Sequence, residues 1–141
     1  MAITDTAIAR IQTIALACSG IKAAPTTPVD DAGVLPMAIT HITAGTFEEI
    51  NATDGKLICT VSADFHFDRQ ILRLTYERID ALIPDFLQRL GGDPTLAGSV
   101  SSIVFPVAFQ VAPAQWDSIV TQMVTFTIPL KFNLLSPTTT P

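Results

Sequence analysis

Read for apolar spacing, the chain opens on a helical face. Ile3, Ala7, Ile11, Ile14 and Cys18 recur at three- and four-residue steps with Ala15 beside them, the period of one side of a helix. Thr4 or Asp5 can cap its start, and Gly20 can end it in the left-handed conformation glycine tolerates, so the pattern predicts a helix over about 5–19. From 57 to 67 the period becomes two. Leu57, Cys59, Val61, Ala63, Phe65 and Phe67 alternate with Ile58, Thr60, Ser62, Asp64 and His66, which predicts a half-buried strand with its odd positions on the core. The polar trio Ser62, Asp64 and His66 then faces solvent or a surface covered by a partner. A second helical stripe follows in Ile71, Leu72, Thr75, Tyr76, Ile79, Leu82, Ile83, Phe86, Leu87 and Leu90. Arg69, Arg73, Glu77, Arg78, Asp80, Gln88 and Arg89 cover its other sides. Asp68 stands where its N-cap would be, Asp85 and Arg89 are ordered for an i,i+4 pair, and Pro84 should kink the helix or start a second short one.

The remaining segments are read from turn residues and shorter alternations. A Pro-rich loop spans about 24–36, a length that in compact domains usually serves function or orders on a partner. MAITHIT, 37–43, predicts a short strand, and AGTFEEINATDGK predicts a polar turn region whose Asp54-Gly55 step suits a hairpin. LGGDPTLAG breaks the second helix and opens a turn at Asp93-Pro94. Two long strands should follow. One carries Ile103, Phe105, Val107, Phe109 and Val111 on one side; the other carries Val120, Val124, Phe126, Ile128, Leu130 and Phe132. APAQW, with Trp116, would connect them, and Pro106 and Pro129 should mark an edge or a strand end because neither donates to a ladder. The tail 136–141 has nothing to bury and is expected to be disordered. The sum is one α+β domain over 1–135: a small mixed or antiparallel sheet of about four to five strands packed against a long amphipathic helix and an N-terminal helix.

Composition supports folding and narrows the function. The 141 residues are 48% hydrophobic and 15% charged, the opposite of the balance that keeps chains disordered. A net charge of -5 with scattered basic residues argues against gripping nucleic acid, which needs a basic patch, but not against DNA passing nearby. Cys18 and Cys59 are expected as buried reduced thiols, too few for a disulfide framework. No apolar run approaches the roughly 20 residues of a membrane span. IALACSG resembles a lipoprotein cleavage site only faintly: Asp5 interrupts the segment ahead of it and Ala15 stands where leucine is usual, so synthesis inside the cell is the expectation.

The chemistry-bearing residues are few. His41, Asp64 and His66 form the one candidate metal set, as a small metal-binding module or enzyme would use. Distance weighs against a site on one strand, since Asp64 and Asp68 stand roughly 13 Å apart along it and two carboxylate arms fall short of that gap. Only a bend, or His41 arriving from a neighbouring strand, would complete it. Glu48-Glu49 reads as a solvated acid pair, and NAT at 51–53 as a chance glycosylation match. There is no phosphate loop, nucleophile elbow or H-E-x-x-H, so the expectation is a protein that is not an enzyme and carries no cofactor.

The order of these elements, with LICTVSADFHFD, RQILRLTYERIDALIPDFLQRL and above all GDPTLAGSVSSIVF before a final strand, resembles the tail terminator (tail-completion) proteins of long-tailed bacteriophages over roughly 1–135. An unusually apolar final hairpin and a long APTTPVDDAGVLP loop depart from that pattern. The resemblance implies a homo-oligomeric ring, commonly a hexamer, that caps the tail tube protein, ends its polymerisation and presents a surface to the head–tail connector. It implies residence in the virion after synthesis in the host bacterial cytoplasm, with DNA passing through the lumen and no membrane. Another head–tail joining or tube component is the nearest alternative. For the contacts such a ring needs, the residues themselves offer Phe105, Phe109, Val111 and Trp116 in the last hairpin and Val29, Val34 and Leu35 in the Pro-rich loop.

Overall fold

Two helices cover one side of an antiparallel sheet, as the change of apolar period from 3.6 to 2 and back requires. The computed structural model describes residues 3–18, 20–22, 24, 35–49, 54–69, 71–98, 100–116 and 119–135. The elements run α1 (Ile3–Ala17), β1 (Met37–Glu49), β2 (Asp54–Asp68), α2 (Leu72–Gly91), β3 (Ser102–Ile103), β4 (Ala108–Trp116) and β5 (Ile119–Leu135). The sheet order is β1-β2-β5-β3, with β4 also paired to β5, and every pairing is antiparallel. This is the α+β architecture expected from the pattern.

The odd positions of β2 from Cys59 to Phe67 are buried under the helices. Opposite Cys59, Val61, Ala63 and Phe65 lie Leu130, Ile128, Phe126 and Val124 of β5, and Phe132, opposite Leu57, extends the same buried side. Ala7, Ile11, Ile14 and Ala15 of α1, Cys18 just after it, and Ile79, Leu82, Phe86 and Leu90 of α2 close the same cluster. At its centre Phe65, Phe86 and Phe126 meet with centroids 4.6 to 5.6 Å apart, two of the three contacts edge-on, as ring quadrupoles prefer. A polar tie crosses from α1 to β1: Gln12 donates Nε2 to the Ala38 carbonyl at 3.0 Å, and the Thr40 hydroxyl donates to Gln12 Oε1. Both ends of a buried amide are thereby satisfied.

Several local expectations change. Asp68 ends β2 rather than capping α2; the N-cap is Ile71 in an extended conformation, with no side-chain cap. The Thr75 hydroxyl instead bonds the Asp68 and Ile71 carbonyls. Ile71, Leu72 and Tyr76 leave the buried stripe and are exposed, because the stripe outruns the sheet beneath it. Pro84 lies inside one uninterrupted α2; it and Asp80, whose carbonyl it leaves without a donor, are both on the exposed side where water can bond that oxygen. The Asp85–Arg89 pair forms as expected, Nε to Oδ1 at 2.8 Å.

The strands are longer than their apolar spacing indicates. β1 continues through AGTFEE because a bulge between Ile42 and Ala44 makes Thr43 an extra residue and breaks the alternation. Asp54 and Gly55 belong to β2, not to a turn: a Cβ at Gly55 would lie 2.5 Å from the Phe47 ring, so glycine gives that ring its place across the strand. The connection at 50–53 is outside the described residues. The long strand expected at 100–111 is broken at the cis Phe105–Pro106 bond into β3 and β4. APAQW is the end of β4, and Trp116 pairs with Ile119. Pro129 sits in the middle of β5, contrary to expectation. Its carbonyl accepts from Val104 at 2.8 Å, so the donor it lacks points to the same side, where the ladder is interrupted between β3 and β4.

Candidate functional site

Two features could carry function: a polar row on the helix-free face of the sheet, and apolar side chains left uncovered at the sheet margins.

Even positions of β2 project to the helix-free face beside His41 of β1 and the threonines of β5. His41 Nε2 lies 3.0 Å from Asp64 Oδ2, and the Ser62 hydroxyl donates to Asp64 Oδ1 at 2.7 Å. Antiparallel pairing therefore delivers the second imidazole that the metal reading required. His66 turns away: its Nδ1 meets Thr121 Oγ1 at 2.8 Å. Among the described residues no three His, Cys, Asp or Glu side chains gather as a metal set. Nor is this a nucleophile relay. The carboxylate stands between serine and histidine, so Ser62 donates to an acceptor already shared with His41, and the imidazole is not the group that receives the serine proton. Ser62 and His66 are buried rather than solvated, correcting the first of the two surroundings expected for this trio. Burial also pushes the His66 pKa below the ordinary 6.5, opposed by the negative charge of Asp64.

Neither thiol is poised to react. Cys18 and Cys59 are free and buried, as expected. Burial pushes Cys18 up to about 11; Asp85 adds to the rise and Arg89 opposes it. Burial likewise raises Cys59. Both are protonated at neutral pH, and the thiolate is the reactive form.

The apolar margin is more distinctive. Phe105 and Phe109 are 55% and 48% exposed, and Val120 at the start of β5 is equally open. Val111 is half-buried against the core, and the Phe109 ring meets that of Phe126 at a centroid distance of 6.0 Å. At the opposite margin Ile42 and Phe47 are exposed. Of the other residues named from sequence, Leu35 is half-buried before a cis Pro36, while Val29, Val34 and the Trp116 side chain lie outside the described residues.

A cleft of about 420 Å³ lies between the segment after α1 and α2, lined by Lys22, Pro36, Phe67, Leu74, Glu77 and Arg78 among others. Sequence reasoning missed a further cluster. Arg10 Nε bonds Asp93 Oδ2 at 2.7 Å, and Asp93 Oδ1 accepts the Ala97 amide at 2.9 Å. The Ala97 amide foremost, and then Arg10, hold the Asp93 carboxyl below its ordinary 3.8. This clasp ties α1 to the turn after α2, where Leu96 and Ala97 adopt φ of 49° and 57° and Leu96 is fully buried. The Asp-Pro step was legible as a turn, but its partner, 83 residues away, was not.

No helix among the described residues is long and apolar enough to cross a membrane. Comparison with protein families and with curated proteins finds no match to this chain.

Proposed function

We propose that this chain is a tail terminator subunit of a long-tailed bacteriophage, working by shape and self-association rather than by catalysis. The observation that carries the reading is the uncovered pair Phe105 and Phe109 in a stretch, 94–116, that contains no Asp, Glu, Lys or Arg. An apolar patch of this kind on a small domain marks a surface meant for protein. The element order, from N-terminal helix through the Gly-Asp-Pro turn to a final long strand, supports the same reading. In it, copies form a ring, by resemblance a hexamer, that occupies the last surface of the tail tube protein and offers its other side to the head–tail connector. In this reading Val29, Val34 and Leu35 of the Pro-rich loop contribute to those contacts. The -5 net charge disfavours adhesion of DNA passing through the lumen. The protein is made in the host bacterial cytoplasm and resides in the virion.

The test is electron microscopy of the purified protein, alone and added to growing tail tubes. Rings, and tubes stopped with a ring at one end, are expected. The His41–Asp64 contact is what favours the competing class. A chain that stays monomeric, leaves tubes growing and takes up one zinc ion lost on His41→Ala would replace this reading with a metal-binding module.

A further inference from the structure

We infer that copies of this chain join by continuing the sheet: the free edge of β4 in one copy pairs antiparallel with the free edge of β1 in the next. The inference rests on the ring reading above and names its interface.

β1 is the outermost strand on one side of the sheet; on the other, β4 and the two-residue β3 lie end to end beyond β5, and among the described residues β1 and β4 each pair with only one strand. A free edge presents unpaired backbone groups and invites another strand, so proteins that stay single guard their edges with charge, above all lysine. Neither edge here has that guard. β4 contains no charged residue, and β1 contains no Asp, Glu, Lys or Arg before Glu48. Pro113 removes a single donor from β4, and the β1 bulge lies at Ile42/Ala44, which leaves the uncharged stretches 108–112 and 44–47 open to pair.

Three geometric facts agree with joining these two edges. First, β1, β2, β5 and β4 alternate in direction, so β4 and β1 run oppositely and a copy added by rotation meets its neighbour antiparallel. Second, the exposed residues lie on one face. Phe109 stands opposite Phe126, Ile42 opposite Val61 and Phe47 opposite Leu57, all helix-side positions. In a continued sheet Phe109 and Phe47 become cross-strand neighbours, a favourable pairing on the side already apolar. Third, the required stagger is one that closed sheets adopt. Gly45 lies level with Leu130 and Phe47 with Phe132, while Phe109 lies level with Phe126. Matching Phe109 to either shifts each copy by roughly 13–20 Å over a sheet about 19 Å wide, a strand tilt of about 35–45°.

A second copy is the occupant these facts select. A foreign strand would cover one edge and leave the other; head-to-tail addition of identical chains uses both and, on closing, leaves none.

The test uses Phe109→Lys, which spoils the β4 edge, and Phe47→Lys, which spoils the β1 edge, each checked for a native circular dichroism spectrum. Native mass spectrometry at a concentration where the wild-type chain is assembled should show each variant losing the ring and running as one chain of about 15.1 kDa. Mixed in equal amounts, they should form a species of two chains, one of each variant, and nothing larger, because one good edge of each kind remains. Gln110→Lys and Thr46→Lys place the charge on the other face of the same strands and serve if either phenylalanine variant misfolds. Rings that persist in the single variants, or a mixture that stays monomeric, would overturn the edge pairing while leaving the ring intact. A wild-type chain that never assembles would overturn the ring reading and this inference together.

Discussion

Removing the Asp93 carboxylate tests how the turn after α2 is held. Asp93→Ala deletes an acceptor for the Ala97 amide and the partner of Arg10. A hydrogen bond to a charged group contributes about 1.5–3 kcal/mol when shielded. Arg10 is 39% exposed, so solvent reduces the ion pair to about 0.5–1 kcal/mol, and the amide bond at an exposed turn to about 1 kcal/mol. The expected loss is therefore about 2 kcal/mol, or roughly 5–8 °C in Tm for a chain this size. Asp93→Asn keeps an acceptor for Ala97 and should lose about half as much. The pH dependence has a definite sign. Because the folded carboxyl titrates below 3.8, its contribution is complete above that value and vanishes as pH falls through the lower folded one. Chemical denaturation of wild type, Asp93→Ala, Asp93→Asn, Arg10→Ala and the Arg10/Asp93 double variant, at pH 7 and in acid, separates the parts. Equal losses for Asn and Ala, or a gap unchanged in acid, would refute the reasoning.

Three further outcomes follow from the geometry. Phe86→Ala should cost about 3–5 kcal/mol in denaturant titration, because a fully buried ring leaves a cavity between Phe65 and Phe126. Ala97→Gly should raise Tm slightly: relief of a left-handed φ of 57°, about 1–2 kcal/mol, exceeds the roughly 0.5–1 kcal/mol entropic cost of glycine. His66 is held neutral by burial, so wild-type stability should fall as pH drops below 6.5 through its lower folded value. His66→Gln should flatten that dependence in melts at pH 7 and 5, and His41→Gln, altering the imidazole beside Asp64, serves as the comparison.

What could be read along the chain was periodicity. The faces of α1 and α2, the core side of β2 and the even positions of β5 follow from local spacing, because each element buries one side against the same cluster. Where the spacing was interrupted, the reading stopped early. The bulge at Thr43 hid the second half of β1, and Gly55 resembled a turn residue because its reason for being glycine, the Phe47 ring, comes from another strand. Pro129 could be placed at an edge only while the break between β3 and β4 was unknown.

The possible chemistry was decided by pairing between distant residues. Sequence alone determined that His41, Asp64 and His66 were the residues to watch. Antiparallel register brought His41 to Asp64 and gave His66 to Thr121, which no spacing along the chain encodes. The same holds for the margins. Phe47 falls in a stretch that reads as a polar turn and Phe109 in a hairpin that reads as offering contacts; only the sheet order puts them on outer strands at opposite margins, beyond the helices that would have buried them. Local sequence sets which side of an element is apolar, but whether that side finds cover depends on where the other elements end.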